Sequence, residues 1–272
     1  MPPLSKAPRH MDSRLVLIHG FLGNVRSFVE VTQLLDLDEP AFCPKLYGHG
    51  AAVALRPNYE FSDEVRRLIA LIETYSRGSP VHIAGYSLGA RLSLALLAKA
   101  KGLFHSATLI SGRRWLDTQG EREERLSEDQ RWAERLRTTP FHEFLWAWEQ
   151  QPVFASMRNW SLEKRESVRQ ERSAHDPLAL AQALTAMSLA NMPNLVDELA
   201  LIDIPVAVLA GREDAKFVAL GQELVSSLPK GKFVVVDEAG HQLLIERPDA
   251  VAAAIREGLN HAQRYMESSP GL

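Results

Sequence analysis

Short apolar runs alternate with amphipathic stretches over residues 15–112 and again from residue 204 onward. Apolar runs of this length are typical of strands buried in a parallel sheet, and amphipathic stretches with a helical period are typical of helices packed on such a sheet. The predicted strands are 15–18, 41–46, 81–84, 106–111, 204–210 and 232–237, and the predicted helices include 27–35, 62–75 and 90–97. This alternation predicts an α/β fold with a mostly parallel sheet flanked by helices.

The interval from residue 113 to residue 203 has no strand-like run, although it contains several amphipathic patterns. We therefore expect an inserted helical cap that lies over the edge of the sheet at which the strands end. The expected boundaries are 1–112 and 204–272 for the core and 113–203 for the cap. A chain of 272 residues is long enough for one core with such an insertion.

A serine lies between two glycines at the junction of a predicted strand and a predicted helix. Gly85 precedes Ser87 by two residues, and Gly89 follows it by two residues. A serine on a sharp strand-to-helix turn needs small residues at these positions, because larger side chains would collide with the neighbouring backbone. The pattern predicts a nucleophile elbow with Ser87 at its tip.

Two further polar residues follow predicted strands in the order that an elbow requires. Asp214 comes after the strand at 204–210, and His241 comes after the strand at 232–237. Parallel sheets place their chemistry at the carboxyl ends of the strands, so these residues and Ser87 are expected to converge into a triad. Taken singly, each is equally consistent with an ordinary loop or turn residue, and Glu213 is the nearest alternative to Asp214.

Two backbone amides are expected to stabilise negative charge beside the serine. In an elbow enzyme, one oxyanion-stabilising N–H group belongs to the residue after the nucleophile, which is Leu88 in this chain. The other comes from the loop after an early strand, which points to Phe21 in the glycine-flanked segment 19–23.

Composition excludes several classes of protein. Hydrophobic residues make up 46% and charged residues 24% of the chain, which is ordinary for a folded globular protein, and the net charge of −3 gives no general attraction to nucleic acid. The longest apolar stretches are too short to cross a bilayer. The single cysteine, Cys43, has no cluster of metal-ligating residues around it. We expect no metal, membrane or nucleic-acid partner, and a monomer or weak homo-oligomer.

The beginning of the sequence bears on localisation. Residues 1–12 contain no apolar segment like that of a signal peptide, and we expect them to form a loose tail. A lone thiol together with the absence of an export signal predicts a cytoplasmic protein.

Five motifs make the chain resemble a known family. They are residues 19–23, 85–91, 121–125, 148–156 and 211–217. These segments resemble the MenH-type α/β-hydrolases, the 2-succinyl-6-hydroxy-2,4-cyclohexadiene-1-carboxylate (SHCHC) synthases of menaquinone biosynthesis. The resemblance extends over almost the whole chain, and the segment 148–156 is much more specific to this family than the segment 19–23. It implies the α/β-hydrolase fold with an inserted helical cap.

The resemblance also implies an activity, which is elimination and not hydrolysis. SHCHC synthases remove pyruvate from 2-succinyl-5-enolpyruvyl-6-hydroxy-3-cyclohexene-1-carboxylate, called the enolpyruvyl substrate below. By this resemblance Ser87 acts as a base, activated by His241, which Asp214 orients. Neither a metal nor an organic cofactor is implied.

The implied substrate is a small anion with several carboxylates. Burial of unpaired carboxylates is unfavourable, so cationic groups are expected at the site, and guanidinium groups suit bidentate carboxylate contacts. Arg91 stands one helical turn after Ser87, where a structural apolar residue would otherwise be expected. The residues that match the family's substrate-binding positions are Tyr86, Arg91, Arg125, Trp148 and Arg172.

Two positions depart from the family pattern. Glu149 occupies a place where relatives commonly carry an aromatic residue, and Tyr47 stands where a proline is common. A carboxylate near an anionic substrate repels it unless that carboxylate faces solvent or pairs with an arginine.

Two other functions fit the same residues. A carboxylester or carbon–carbon bond hydrolase would use the same triad with Ser87 as a covalent nucleophile, although its pocket would be mainly apolar. A noncatalytic small-ligand-binding protein on this fold is the other alternative.

Overall fold

The computed structural model describes residues 14–51 and 56–268. Within them, five strands form one parallel sheet whose spatial order follows the order of the chain. The strands are β1 (Leu15–Ile18), β2 (Val81–Tyr86), β3 (Phe104–Ile110), β4 (Val206–Gly211) and β5 (Gly231–Val236). The predicted α/β fold with a parallel sheet is confirmed. The expectation of a loose tail at 1–12 lies outside the described residues.

Helices cover both faces of this sheet. Those of the core are α1 (Val29–Leu35), α2 (Phe61–Ser76), α3 (Leu88–Lys99), α9 (Ala215–Val225), α10 (Leu243–Glu246) and α11 (Pro248–Ser268). On one face, Leu68 of α2 and Leu92 of α3 are fully buried against the strands. On the other face, Val31 of α1 and Ile255 of α11 are fully buried. All residues of β1 and β2 are buried, because helices lie on either side of them.

One predicted strand is wrong in extent. The segment 41–46 is reduced to an isolated parallel bridge between Phe42 and Val16. The Phe42 N–H group donates to the carbonyl of Leu15, and the Leu17 N–H group donates to the carbonyl of Phe42. Pro44 follows two residues later and has no N–H group with which to continue the ladder.

Between β3 and β4 the described chain contains only helices and connecting loops. They are α4 (Gln119–Thr138), α5 (Phe141–Glu149), α6 (Leu162–Ser173), α7 (Pro177–Ala186), α8 (Val196–Leu199) and the 3₁₀ helices Pro152–Asn159 and Leu189–Asn191. α4 begins at a capping box, in which Thr118 and Glu121 exchange hydrogen bonds. Apolar side chains of α4, α5 and α7 pack around Leu22, so the inserted helices contact the loop that follows β1.

Neither a membrane-spanning helix nor a metal centre appears in the part of the chain that the structure describes. None of its helices combines the length and the apolar character needed to span a membrane. Residues 14–51 and 56–268 likewise contain no group of three or more histidine, cysteine or acidic side chains arranged to hold a metal ion.

Candidate active site

Ser87 lies at a sharp turn between β2 and α3. Its backbone has φ 52° and ψ −107°, a conformation that is unfavourable for a residue with a side chain. A Cβ atom on Gly89 would lie 2.0 Å from the carbonyl oxygen of Ile18, and one on Gly85 would lie 2.4 Å from that of Gly89. Only glycine fits these two positions. The close packing of α3 against the sheet therefore holds Ser87 in its strained conformation.

The three predicted triad residues lie in hydrogen-bonding contact. The Ser87 hydroxyl oxygen lies 3.1 Å from His241 Nε2, and His241 Nδ1 lies 2.9 Å from Asp214 Oδ2. A carboxylate only accepts, so Nδ1 carries the proton, and Nε2 is left to accept from the serine hydroxyl. His241 and Asp214 are both buried, which strengthens these contacts.

Asp214 is held at the start of α9. Its Oδ1 atom accepts from the N–H group of Phe217 at 3.2 Å, while Oδ2 faces His241. Glu213, the alternative considered from the sequence, is exposed. The positions of the two neighbours in the β4 loop therefore favour Asp214 as the partner of the histidine.

The loops after β4 and β5 contact each other through their backbones, and these contacts hold His241 in position. A Cβ atom on Gly211 would lie 2.2 Å from the carbonyl oxygen of Gly240, and the Glu213 N–H group donates to the carbonyl of Ala239 at 2.9 Å. The Ser111 hydroxyl, from the end of β3, donates to the backbone carbonyl of His241 at 2.9 Å. Neighbouring strand ends therefore cooperate to orient one imidazole.

The turn at residues 20–23 presents the first predicted oxyanion donor. The carbonyl of Gly20 accepts from the Gly23 N–H group at 3.0 Å and from His19 Nδ1–H at 2.9 Å. In a trans peptide the N–H group points opposite to the carbonyl, so these bonds also fix the direction of the Phe21 N–H group. The second predicted donor, Leu88, is the first residue of α3, where N–H groups have no partner within the helix.

A cavity of about 540 Å³ opens beside the triad. Its lining includes Phe21, Tyr86, Ser87, Trp148, Arg172 and His241. The Tyr86 hydroxyl donates to Gln242 Oε1 at 3.0 Å, and burial raises the pKa of Tyr86, so its phenol is neutral. Both the sheet core and the inserted helices contribute to the wall, and the volume suits a small organic ligand.

The tryptophans of the inserted helices separate into two groups. Trp148 lines the cavity and packs 5.1 Å from the ring of Phe21 and 5.0 Å from that of Trp132. Trp146, by contrast, does not pack on the inner surface of the insertion, because its side chain is 60% exposed. Trp146 and Trp148 are two positions apart on α5, which turns them to different sides of the helix.

Arg172 lines the cavity as part of a buried charge cluster. Its Nη1 atom lies 3.1 Å from Glu149 Oε1, and Arg169 Nε lies 2.8 Å from Glu149 Oε2. Each oxygen of the Glu149 carboxylate thus receives one guanidinium group, and Arg169 also lies 3.8 Å from the exposed Glu166 carboxylate. The sequence left open whether Glu149 would face solvent or pair with an arginine, and the structure has the second arrangement.

The other two predicted substrate arginines are not among the residues that line this cavity. Arg91 donates from Nη1 to the carbonyl of Met187 at 3.1 Å, and Arg125 Nε lies 2.9 Å from Asp129 Oδ2. Burial, followed by the positive charge of Arg125, lowers the pKa of Arg91 to about 9. The structure therefore brings Arg172, Tyr86 and Trp148 together with the triad, but it does not bring Arg91 or Arg125 into the same cavity.

Some residues around the triad were not anticipated from the sequence. Phe217 places its ring 4.5 Å from that of His241, and Phe154 lies 6.0 Å from it. Gln242 accepts from the Tyr86 hydroxyl, and His175 bonds to the Leu22 carbonyl of the turn at residues 20–23. Phe217 falls within the motif 211–217, which is a usable signal, whereas a lone histidine before Asp176 gives none.

Sequence comparisons relate this chain to known enzymes. Residues 15–254 match the model of the alpha/beta hydrolase family. The chain is 34% identical over 249 residues to the 2-succinyl-6-hydroxy-2,4-cyclohexadiene-1-carboxylate synthase of Salmonella paratyphi C (strain RKS4594), a match that covers 89% of this chain and 92% of that protein. The enzyme of the same name from Salmonella agona (strain SL483) is similar to the same extent.

Solved structures of two enzymes of similar fold superpose on this chain. MenH from S. aureus superposes with a TM-score of 0.84 at 25% identity, covering 92% of this chain and 95% of that chain. A thermophilic esterase from Thermogutta terrifontis superposes with a TM-score of 0.76, also at 25% identity, covering 91% of this chain and 89% of that chain.

Proposed function

The chain belongs to the alpha/beta hydrolase family and, within it, to the 2-succinyl-6-hydroxy-2,4-cyclohexadiene-1-carboxylate synthases, and on that premise we propose how its residues eliminate pyruvate from the enolpyruvyl substrate in menaquinone biosynthesis. The observation that best supports the assignment of residues is that Ser87, His241 and Arg172 line one cavity. A base and a cation are what elimination from a ring carrying several carboxylates requires.

The names of substrate and product define the bonds that change. The substrate has a ring double bond at C3 and the enolpyruvyl ether at C5, whereas the product has double bonds at C2 and C4. The C2 proton is therefore lost, its electron pair forms the C2–C3 double bond, and the C3–C4 pair moves to C4–C5. The C5–O bond breaks, and the leaving enolate of pyruvate takes up a proton at its methylene carbon.

Ser87 removes the C2 proton. His241 Nε2, 3.1 Å from the hydroxyl oxygen, takes the serine proton as the serine oxygen takes the substrate proton, and Asp214 stabilises the imidazolium that forms. The buried carboxylate also fixes the histidine tautomer with its free lone pair toward the serine. The imidazolium then supplies the proton that the departing enolate requires.

The developing charge is held by backbone amides. The C2 proton is adjacent to the succinyl carbonyl, so its removal places negative charge on that carbonyl oxygen. The N–H groups of Phe21 and Leu88 stabilise this oxygen, because fixed donors favour the enolate over the neutral ketone. The bonded Gly20 carbonyl holds the first of these donors in place.

Arg172 binds one carboxylate of the substrate in the cavity. Glu149 occupies only Nη1 of Arg172, while Arg169 is shared between Glu149 and Glu166, so the other N–H groups of Arg172 are left to bind an anion. The family resemblance assigns Arg91 and Arg125 to a second carboxylate, although neither lines this cavity and they bond to the Met187 carbonyl and to Asp129. The pKa of Arg91 is lowered to about 9, first by burial and then by the charge of Arg125, and an arriving carboxylate would relieve that unfavourable environment.

The remaining features of the proposal concern the protein as a whole. Residues 113–203 act as a cap that closes the cavity over the substrate, and Tyr86 and Trp148 shape its wall. The enzyme acts in the cytoplasm as a monomer or weak homo-oligomer on a small anionic substrate, with neither a metal nor an organic cofactor.

A coupled assay for pyruvate tests the proposal. The purified protein is expected to release one pyruvate per molecule of the enolpyruvyl substrate, and a Ser87→Ala variant is expected to lose about 10²–10⁴-fold in kcat with its fold intact, which is the usual worth of a positioned base. Equal rates in the two proteins would contradict the role of Ser87.

The alternative activity is ester hydrolysis, which the same triad geometry and the likeness to the Thermogutta terrifontis esterase favour. In that case Ser87 attacks a carbonyl carbon and forms an acyl-enzyme. Rapid cleavage of a short aryl ester, without any pyruvate from the enolpyruvyl substrate, would support the esterase. Pyruvate release with slow ester cleavage would exclude it as the main activity.

A further inference from the structure

One histidine of the inserted helices bonds to the backbone of two separate core loops. His175 lies between α6 and α7, and only 5% of it is exposed. Its Nδ1 atom accepts from the Gly50 N–H group at 2.7 Å, and its Nε2 atom lies 3.2 Å from the carbonyl oxygen of Leu22. The adjacent Asp176 N–H group donates to the Gly50 carbonyl at 3.1 Å, which anchors the histidine on its other side.

These partners determine the protonation of the ring. A backbone N–H group only donates, so Nδ1 of His175 has no proton, and a backbone carbonyl only accepts, so Nε2 carries one. The histidine is therefore neutral. Burial lowers the pKa of His175, the hydrogen bond to the Leu22 carbonyl raises it, and the positive charges of Lys45 and Arg172 lower it again; the net lowering favours the same neutral form.

The carbonyl that His175 holds belongs to the oxyanion turn. Leu22 is left-handed at φ 62°, an unfavourable conformation for a residue other than glycine that surrounding contacts must maintain. Phe21 lies between the two fixed carbonyls of this turn. On one side Gly20 accepts from His19 and Gly23, and on the other side Leu22 accepts from His175.

We propose that His175 is a positioning residue, which holds the Leu22 carbonyl so that the Phe21 amide stays aimed at the substrate oxygen. The inserted helices thereby fix a donor that belongs to the core, in addition to supplying Arg172 three residues earlier. This inference rests on the proposed function only in that the Phe21 amide serves as an oxyanion donor. His175 touches neither the substrate nor the reacting atoms.

The proposal predicts a specific kinetic effect. An oxyanion donor acts on charge that exists in the transition state and not in the bound substrate, so its displacement lowers kcat and leaves KM unchanged. Removal of one such donor lowers kcat by about 10²–10³-fold, and loosening it is expected to have a smaller effect, on the order of tenfold.

Two variants separate the two hydrogen bonds. The carboxamide oxygen of asparagine can take the place of Nδ1, so His175→Asn keeps an acceptor for Gly50 and loses the donor to Leu22. The carboxamide nitrogen of glutamine can take the place of Nε2, so His175→Gln keeps the donor to Leu22 and loses the acceptor for Gly50. We expect kcat to fall about tenfold in His175→Asn, and to stay within about twofold of wild type in His175→Gln, at unchanged KM in both.

A purely structural role would give a different pattern, in which kcat follows the stability of each variant. The free energy of unfolding in urea is therefore measured for both proteins. Equal losses of kcat in the two variants, or a larger loss in His175→Gln, would overturn the proposal.

NMR tests the inference without an activity assay. In the wild-type protein the His175 ring carbon shifts must report a proton on Nε2, and a proton on Nδ1 would refute the proposal even if neither variant folds. The amide signal of Phe21 is expected to move in His175→Asn and to stay near its wild-type position in His175→Gln. A wild-type protein that releases no pyruvate would contradict the proposed function, whereas an unmoved Phe21 signal in His175→Asn would contradict the role of His175.

Discussion

The triad and the arginines are built in different ways. Ser87, Asp214 and His241 follow the ends of three strands of the same parallel sheet, β2, β4 and β5, and backbone contacts that admit only glycine hold their loops together. Arg172 instead reaches the cavity from the last turn of α6, and its direction depends on Glu149. The difference shows that a sheet fixes where short side chains meet, whereas a long side chain on a helix takes its direction from nearby charges.

The largest expected effect concerns the carboxylate of the triad. Asp214→Asn should lower kcat about 10³–10⁴-fold, because an amide can stabilise the wrong histidine tautomer and no longer balances the imidazolium. Asparagine still caps α9, so stability should change little. Its matched control is the exposed neighbour, Glu213→Gln, which should keep full kcat in the pyruvate assay. Similar losses in the two variants would remove the distinction between them.

The next largest effect concerns the arginine of the cavity wall. Arg172→Met should raise KM about tenfold to a hundredfold, because a charged hydrogen bond is worth about 1.5–3 kcal/mol. Arg169→Met is the control, since Arg169 shares Glu149 but does not line the cavity. Steady-state kinetics should show a smaller rise for this variant. If Arg169→Met raised KM as much as Arg172→Met, the cluster would act through its net charge and not through a direct contact of Arg172.

Acid should lower the free energy of unfolding, because two buried histidines of the sheet core must take up protons when the protein unfolds. Burial lowers the pKa of His82 to about 3 and that of His19 to about 4, so both are neutral in the folded protein. Unfolded histidines bind protons below about pH 6.5, and stability is therefore lost as the pH falls from that value toward the folded pKa values. Each histidine contributes a slope of about 1.4 kcal/mol per pH unit.

Urea unfolding at about pH 7 and about pH 5.5 measures this loss. His82 lies between the hydroxyls of Ser106 and Thr108, at 2.7 and 3.0 Å, so glutamine can keep hydrogen bonds there without titrating. The variant His82→Gln should show a shallower decrease of stability with acid than the wild type. Identical slopes in the two proteins would mean that His82 is not held neutral by the core.

The smallest effect tests the strain at the elbow. Ser87→Gly should stabilise the fold by about 1 kcal/mol, because glycine adopts positive φ without a side-chain clash, and Tm should rise by about 2–4 °C for a domain of this size. Ser87→Ala keeps the clash and should melt at the wild-type temperature. A calorimetric scan that finds the two variants equally stable would contradict strain at Ser87.

The same contrast explains how much could be predicted from the sequence. The sheet and the meeting of the triad followed from residues placed directly after apolar runs, since the carboxyl ends of parallel strands share one edge. The strand predicted at 41–46 was wrong because pairing stops after one bridge at Phe42, where Pro44 has no N–H group to continue it. The exposure of Trp146 and the partners of Arg91 depend on which helix faces pack together, and a single amphipathic pattern does not specify that.

The contacts of Glu149 and His175 lay beyond sequence reasoning for a related reason. Glu149 pairs with residues 20 and 23 positions later, and His175 bonds a carbonyl 153 positions earlier. No local spacing encodes such separations, because they arise only when the inserted helices settle on the core. The roles proposed for the triad, Arg172 and His175 stay predictions that the experiments test.

The central claim is that Ser87 takes a proton from ring carbon and does not attack a carbonyl, and a deuterium label tests this directly. With substrate concentrations well below KM, substrate deuterated at C2 should release pyruvate more slowly than unlabelled substrate. Mass spectrometry of the intact protein during turnover should find no adduct on Ser87. Equal rates for the two substrates together with a covalent adduct on Ser87 would contradict the account.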